Sequence, residues 1–487
     1  LAKREKRDPL SVAQDIASKI QKKDETGFFE SVTAVAPGFI NFKLSPQARE
    51  TELKKILIEK DSYGKGGVEK KEKVQVEFIS ANPTGPLTLA NGRGGFLGDV
   101  ISRVLAFYGH DVEREYYVND MGNQILMFGK SMLSAVGLAP DYDELYKGAY
   151  IEGWAKKHKK ELKPLKDNPY DAGVFAAKDF LSQIKKTVIE ISGIIIDRWT
   201  SEADVHKNGF VEKAKKLFQE KNLTYEADRA LWLKTTAFGD DKDRVLITGD
   251  GFSTYFLGDA GHYLETKERG FDRKINILGP DHYGYVGRIQ AVASIIGLKS
   301  EIIVTQAMRL IRAGKEVKMS KRKGMFVTFE ELVDEVGSDA SRFFFLLQNP
   351  ESHMDFNLDL AKEKSQNNPV YYAQYAYVRA KSILSKGALK APLIRLEVLT
   401  GTREQELITM LLRFSDCVSL TAKDYRVSRF ARYSLDLAQS FHAFYEAERV
   451  LTDDPKTTES RLALVFAVKT IFESVFDLMG ISKPDSM

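Results

Sequence analysis

Apolar residues in this chain change their period several times, and each change marks a new element. Val74, Val76 and Phe78 alternate with polar residues as a strand does, and Asn82-Pro83-Thr84-Gly85-Pro86 then breaks regular structure. The apolar positions return at Leu97, Val100, Ile101, Val104 and Leu105, the i, i+3, i+4, i+7, i+8 spacing of a helix with one buried face. Gly109 ends that helix, and Val112 to Val118 reads as a second strand. The pattern predicts a βαβ unit whose helix N-terminus faces the Gly/Pro-rich turn from Asn82 to Gly95. Such a helix end presents unpaired N–H groups and attracts anions.

The same reading organises the rest of the chain. Asp8-Pro9 supplies an N-cap and a first-turn proline for a helix through Val12, Ile16 and Ile20, and Val32 to Phe42 reads as two short strands around Pro37-Gly38. Residues 127–234 are mostly amphipathic helix. Strands return at Asn276-Ile277-Leu278 and Ile302-Ile303-Val304, and strand, turn and helix alternate as in a parallel doubly wound sheet with ligands at the carboxyl ends of its strands. After Asp355 the pattern is almost wholly helical, over 366–386, 403–422, 427–450 and 458–480. The predicted fold class is therefore α/β: a Rossmann-like parallel doubly wound domain over 69–361 with a helical insertion at about 127–234, a small α+β N-terminal domain over 1–68, and an all-α bundle over 362–487. Leu1 is not an initiating methionine, so the first domain is expected to be partial.

Bulk properties narrow the class without naming it. A chain of 487 residues, 43% of them hydrophobic, has material for two to four domains, and it contains no run of about 18 apolar residues and no signal-peptide pattern at its start. A cytoplasmic protein is expected. Cys417 is the only cysteine, which excludes an intrachain disulfide and a cysteine-based zinc knuckle, and no structural metal is expected. The formal net charge of +4 suits local contacts to RNA but suits many metabolic enzymes equally. The lysine runs at 156–166 and 213–216 have helical spacing, consistent with a solvated face or with bracing of a nucleic-acid stem.

One motif carries sharper chemistry. Lys318-Met319-Ser320-Lys321-Arg322 puts lysines on a loop well downstream of the Gly/Pro-rich turn. Lysines so placed can close over the phosphates of ATP and stabilise charge as pyrophosphate leaves.

The segment from Val74 to Ile125, with EFISANPTGPLTLANGR followed by REYYVNDMGNQ, resembles the signature region of class I aminoacyl-tRNA synthetases and, in detail, of the arginyl-tRNA synthetase family. Further matches follow in order: Tyr255-x-x-x-Asp259, Gly279-Pro280-Asp281-His282-Tyr283-Gly284-Tyr285, KMSKR, and Asn368-Pro369-Val370-Tyr371-Tyr372-Ala373-Gln374-Tyr375-Ala376. One departure stands out. Where the family has HxGH, this chain has Thr88-Leu89-Ala90-Asn91, and all seven histidines lie elsewhere.

The resemblance implies activation of L-arginine by ATP, with Mg2+, to arginyl-adenylate and pyrophosphate, then transfer to the terminal adenosine of tRNA-Arg. Activation is expected to need bound tRNA. It implies a monomer with no membrane or DNA partner, an N-terminal domain that reaches the tRNA elbow, and an anticodon-binding bundle. Lys318, Ser320 and Lys321, with Thr88 and Asn91 as substitute donors, are the expected catalytic residues. Pro86, Leu87, Thr88, Ala90, Asn91, Gly92, Gly279, Asp281, His282, Lys318, Met319 and Lys321 are expected around ATP. A guanidinium is a planar fork that pairs best with carboxylates. Glu77 and Asp259 are expected to grip it, with Ser80, Asn82, Tyr255 and Asp281 completing the arginine pocket and some of Asn119, Asp120, Gly122 and Gln124 lining the cleft. Gln374, Tyr375 and Arg379 are expected to face tRNA. The alternative reading, prompted by the altered turn, is a catalytically impaired synthetase-like protein that binds tRNA or arginine for regulation.

Overall fold

The computed structural model describes residues 2–317, 327–387 and 393–487. Lys318, Met319, Ser320, Lys321 and Arg322 therefore lie outside the described residues. At the N-terminus, helix Pro9–Lys23 is capped by Asp8, whose carboxylate accepts the Ser11 amide at 2.9 Å. It packs on an antiparallel hairpin of β1 (Phe29–Val35) and β2 (Phe39–Leu44). Val12, Ala13, Ala17 and Val32 are the buried apolar side chains of this unit, a small core. Helix Pro46–Glu59 belongs elsewhere: Leu53, Ile56 and Leu57 join the main core. The N-terminal unit thus ends near Ser45, short of the expected boundary at 68.

Next come β3 (Lys73–Glu77), helix Leu89–Tyr108, β4 (Asp111–Val118) and a helical region that ends before β5 (Arg198–Ser201). An antiparallel meander follows, of β6 (Thr224–Ala227), β7 (Ala230–Leu233) and β8 (Arg244–Ile247), and leads into helix Tyr255–Glu268. Then β9 (Arg273–Leu278) and β10 (Lys299–Val304) return to the main sheet. Finally β11 (Met308–Arg312), β12 (Lys315–Glu316) and β13 (Met354–Asn357) form a small mixed sheet.

The main sheet has five parallel strands in the order β10-β9-β3-β4-β5. From β3 the chain builds outward to β4 and β5, then crosses back to add β9 and β10 on the other side. The order reverses between β3 and β9, and the crevice beyond their carboxyl ends is where such folds bind ligands. β5 lies within the stretch expected to be mostly helix. Its four residues, too few to show a period, pair with β4 from Glu115 to Val118 and so join the edge of the sheet.

The two faces of this sheet differ in chemistry. Val74, Val76, Tyr116, Val118, Ile275 and Ile277 are buried in the main core beneath helix Leu89–Tyr108. On the opposite face Gln75, Glu77, Glu115, Lys274 and Asn276 are buried against helix Tyr255–Glu268. A buried polar layer survives only if its members bond one another. Here they do: Thr266 donates to Gln75, Tyr263 to Asn276, and His262 Nε2 lies 2.9 Å from Glu115.

The C-terminal bundle comprises helices Pro369–Gly387, Thr402–Leu412, Phe414–Asp424, Ser428–Ala447 and Pro455–Met479. The second expected helix, 403–422, is broken at Arg413. Helix Pro455–Met479 buries Leu464, Val468, Phe472 and Phe476 in the core shared with the five-stranded sheet. Arg342 ties the parts together. Fully buried, it ion-pairs with Asp99 of helix Leu89–Tyr108 and donates to the carbonyls of Ser192, Gly193 and Met479. No described helix is long and apolar enough to cross a membrane.

Candidate active site

The backbone is most constrained where β3 ends. Ile79 and Ser80 both have positive φ, +68° and +38°, an unfavourable conformation for side-chain-bearing residues and a frequent mark of functional turns. Ser80 Oγ is held from two sides, donating to Glu77 at 3.1 Å and accepting the Tyr117 amide at 3.0 Å. Asn82 and Pro86 follow half-buried, and Leu87 is buried.

Thr88 is the N-cap of helix Leu89–Tyr108 and closes a reciprocal box with Asn91. Both the Thr88 amide (2.9 Å) and its hydroxyl (2.8 Å) donate to Asn91 Oδ1, and the Asn91 amide lies 3.5 Å from Thr88 Oγ1. An amide N–H can only donate, so the Asn91 atom facing it is the oxygen, and the NH2 group points away. This revises one expectation. The Thr88 proton is committed to Asn91, and Thr88 orients a donor instead of serving as one. Ala90 is exposed beside the box. The turn is also tied to the described chain that resumes at Val327: Thr88 bridges Thr328, and the Phe329 amide donates to Leu87 at 2.9 Å. Gly92 permits this, because a Cβ there would sit 2.2 Å from the Phe329 ring.

The carboxylates at the crevice fall into two groups. Glu77, expected to grip a guanidinium, is already matched: Lys274 Nζ lies 2.9 Å away and Asn276 donates at 2.7 Å. Burial pushes its pKa up, but the Lys274 charge, together with His262, outweighs that and holds it below the usual range. Lys274 is also 3.3 Å from Glu115 and 3.5 Å from His262. Glu77, Glu115 and His262 are close enough together to ligate a metal ion, but the lysine ammonium already pairs with both carboxylates.

Asp259 and Glu202 form the other group. Asp259 lies one helical turn below Tyr255, which is half-exposed at the rim. It accepts the Tyr285 hydroxyl at 2.6 Å, and burial raises its pKa to about 6. Glu202 begins the short helix after β5, where Asp120 fixes the chain by accepting Ser201 Oγ at 2.6 Å and the Ala203 amide at 3.0 Å. Buried, with one bond from Asn119 at 3.2 Å, it has a pKa raised to about 7, by burial first and by Asp259 in addition. Neither carboxylate forms an ion pair among the described residues. Sequence reasoning passed over Glu202. Its signal was slight, a lone acidic residue after Thr200-Ser201, and its significance depends on β5 lying beside β4.

Gly279 follows β9 and leads into the helical turn Pro280–Tyr285. Asp281 and His282 are largely exposed there, their side chains 3.8 Å apart on the open rim of the crevice.

In the bundle, Gln374 is a correction. It is buried, and its amide donates to Asp339 at 2.8 Å and to the Ser482 carbonyl at 3.2 Å, so it holds the C-terminal segment and does not face outward. Tyr375 and Arg379 are half-buried in an aromatic cluster. The guanidinium of Arg379 lies 4.7 Å from the ring centre of Tyr375 and 5.0 Å from that of Tyr445, and Tyr371 stacks nearly parallel to Tyr375.

Three family models match the chain in succession: "Arginyl tRNA synthetase N terminal domain" over residues 1–44, "tRNA synthetases class I (R), catalytic domain" over 52–355, and "DALR anticodon binding domain" over 373–487. The chain belongs to the arginyl-tRNA synthetase family. A relative from Syntrophotalea carbinolica named arginine–tRNA ligase is 39% identical over 506 residues, covering all of this chain and 91% of its own length. One of the same name from Aquifex aeolicus is 38% identical, covering all of this chain and 92% of its own length. Among solved structures, the arginyl-tRNA synthetase of Thermus thermophilus superposes with a TM-score of 0.81 at 22% identity, covering all of this chain and 93% of that one. The arginyl-tRNA synthetase of Plasmodium falciparum gives a TM-score of 0.74 at 21% identity, covering 97% and 89%. At these identities the likeness speaks to the fold, and it shows that this arginyl-tRNA synthetase chain keeps the class I architecture around its altered signature turn.

Proposed function

We propose that this chain is an arginine–tRNA ligase, and the observation that carries the reading is the charge balance at the sheet's switch point. Among the described residues, buried Glu202 and half-buried Asp259 form no ion pair, while their neighbours Glu77 and Glu115 share Lys274. A guanidinium supplies the missing charge and the matching fork. Asp259 and Glu202 grip it, Tyr255 covers the aliphatic stem, and Ser80 and Asn82 stand at the turn where the α-amino and carboxylate groups reach the helix N-terminus.

The arginine carboxylate attacks the α-phosphate of ATP in line and pyrophosphate leaves, giving arginyl-adenylate; the tRNA 2′-hydroxyl then attacks the adenylate's carbonyl carbon and AMP leaves with the acyl–phosphate bond broken. Asn91, oriented by Thr88, offers its NH2 to the nucleotide. The lysines of KMSKR balance the phosphate charge, and Mg2+ enters as the chelate of ATP. Tyr375, Arg379 and Tyr445 form a stacking surface suited to unpaired tRNA bases. The reading places a monomer in the cytoplasm.

Arginine-dependent exchange of labelled pyrophosphate into ATP, run with and without tRNA-Arg, tests the activity. Exchange that appears only with tRNA supports the reading. Its absence under both conditions, with tRNA bound, removes it in favour of a tRNA-binding protein without activation chemistry.

The raised pKa values predict a pH dependence. The guanidinium requires both carboxylates ionised, so arginine binding releases protons near neutral pH and strengthens as pH rises through about 6 for Asp259 and about 7 for Glu202. Two such groups weaken binding about 100-fold on going from pH 8 to pH 5.5. Calorimetric titration in buffers of different ionisation enthalpy measures both the affinity and the proton release.

A further inference from the structure

We infer that Tyr117 is a specificity-determining residue whose hydroxyl oxygen accepts an N–H of the substrate guanidinium, an inference that rests on the arginine-ligase reading above. Tyr117 lies near the carboxyl end of β4 and is 4% exposed. Its ring lies flat on His262, with centroids 4.0 Å apart and planes 7° from parallel, and its amide is held by Ser80. The side chain therefore has little freedom to turn away. Its hydroxyl, however, has no hydrogen-bond partner among the described residues.

Other buried tyrosines are matched: Tyr116 donates to the Ala81 carbonyl, Tyr263 to Asn276, Tyr377 to Glu473 and Tyr433 to the Met410 carbonyl. Buried phenols normally find a partner because an unmatched hydroxyl is costly. The groups that bear on the Tyr117 hydroxyl are the carboxylates of Glu202, Asp259, Glu77 and Asp120. Burial first, and those charges next, hold its pKa well above the usual phenol range, so it remains a neutral hydroxyl at all physiological pH.

The donor count points the same way. A guanidinium carries five N–H donors and no acceptor. Asp259 and Glu202 offer two oxygens each, which matches four donors in bidentate pairs. The Tyr117 oxygen supplies the next acceptor in the same crevice, and its own proton is left for a flanking carboxylate. A primary ammonium brings only three donors and cannot use the full set, so a hydroxyl here favours arginine over lysine or ornithine.

Tyr117→Phe removes only the hydroxyl. The expected result has three parts. Arginine KM and Kd rise about tenfold, as for loss of one buried bond. The KM values for ATP and tRNA stay unchanged. The melting temperature of the free enzyme stays level or rises, because an unmatched buried hydroxyl has been removed. A lower melting temperature would mean that the hydroxyl is already bonded inside the protein, and either that outcome or an unchanged arginine KM overturns the inference. The wild-type chain serves as the control for the reading beneath it. If arginine neither shifts its melting temperature nor supports exchange, the ligase reading fails first, and the result says nothing in favour of Tyr117.

Discussion

Asp259→Asn and Glu202→Gln are each expected to lose arginine activation while leaving the protein as stable as, or more stable than, the wild type. Removing one carboxylate from a desolvated charge pair costs about 2–5 kcal/mol, or roughly 30- to several-thousand-fold in kcat/KM for arginine, with the KM for ATP nearly unchanged. The stability half follows from the direction of the pKa shifts. Both groups have folded-state values above those of an unfolded carboxyl, about 6 and about 7. Their contribution to stability is therefore full below the unfolded pKa and is lost as pH rises through the folded one. Neutral amides escape that loss, so the variants should melt higher than wild type at pH 8 and no higher at pH 4. Arginine should in turn raise the wild-type melting temperature more at pH 8 than at pH 5.5. Glu77→Gln is the contrast. It leaves Lys274, buried beside Glu115, without its nearer carboxylate, and breaking such a buried pair costs about 3–5 kcal/mol of stability. A Glu77 variant that melts normally while Asp259→Asn unfolds would reverse this division of labour.

That division was only half legible in the sequence. The alternation through β3, the helix period from Leu97 and the Asp8-Pro9 cap reflect local physics, and the structure has those elements where the pattern puts them. Asp259 was expected in the site because the Tyr255-x-x-x-Asp259 phrase resembles the family's. Glu202 was not, because β5 is four residues long and acquires meaning only by pairing with β4, a contact between residues about 80 positions apart. Glu77 was expected to grip the guanidinium from its match to the family phrase, and nothing near it in sequence reveals Lys274, almost two hundred residues away. Gln374 failed for a related reason. Helical spacing places it among tyrosines, but only the return of the C-terminal segment, with Ser482 and Asp339, determines that it faces inward. Long-range pairing of polar groups decided each of these cases, and periodicity carries no information about it.

The altered signature turn gives the second large effect. Asn91→Asp is expected to preserve folding and to lower kcat about 10²–10³-fold, the scale of losing one transition-state donor. The aspartate oxygen can still accept from the Thr88 amide and hydroxyl, and a negative charge in the first helical turn favours the helix, so the cap persists. What disappears is the NH2 group, replaced by a charge that repels the triphosphate. Thr88→Val should act through Asn91 instead, freeing the amide to rotate and weakening the cap by about 0.5–2 kcal/mol, while Thr88→Ser retains both functions. Stopped-flow activation assays beside thermal melts separate the two roles, since a purely structural box would make Asn91→Asp harmless. The Thr88→His/Ala90→Gly/Asn91→His variant then tests whether the box is a replacement or a defect. If Asn91 supplies the donor, installing imidazoles gains little and costs the reciprocal cap. A large gain would mean that the turn of this chain holds its helix together without serving the nucleotide, and the reaction would then depend on the KMSKR lysines and the backbone amides alone.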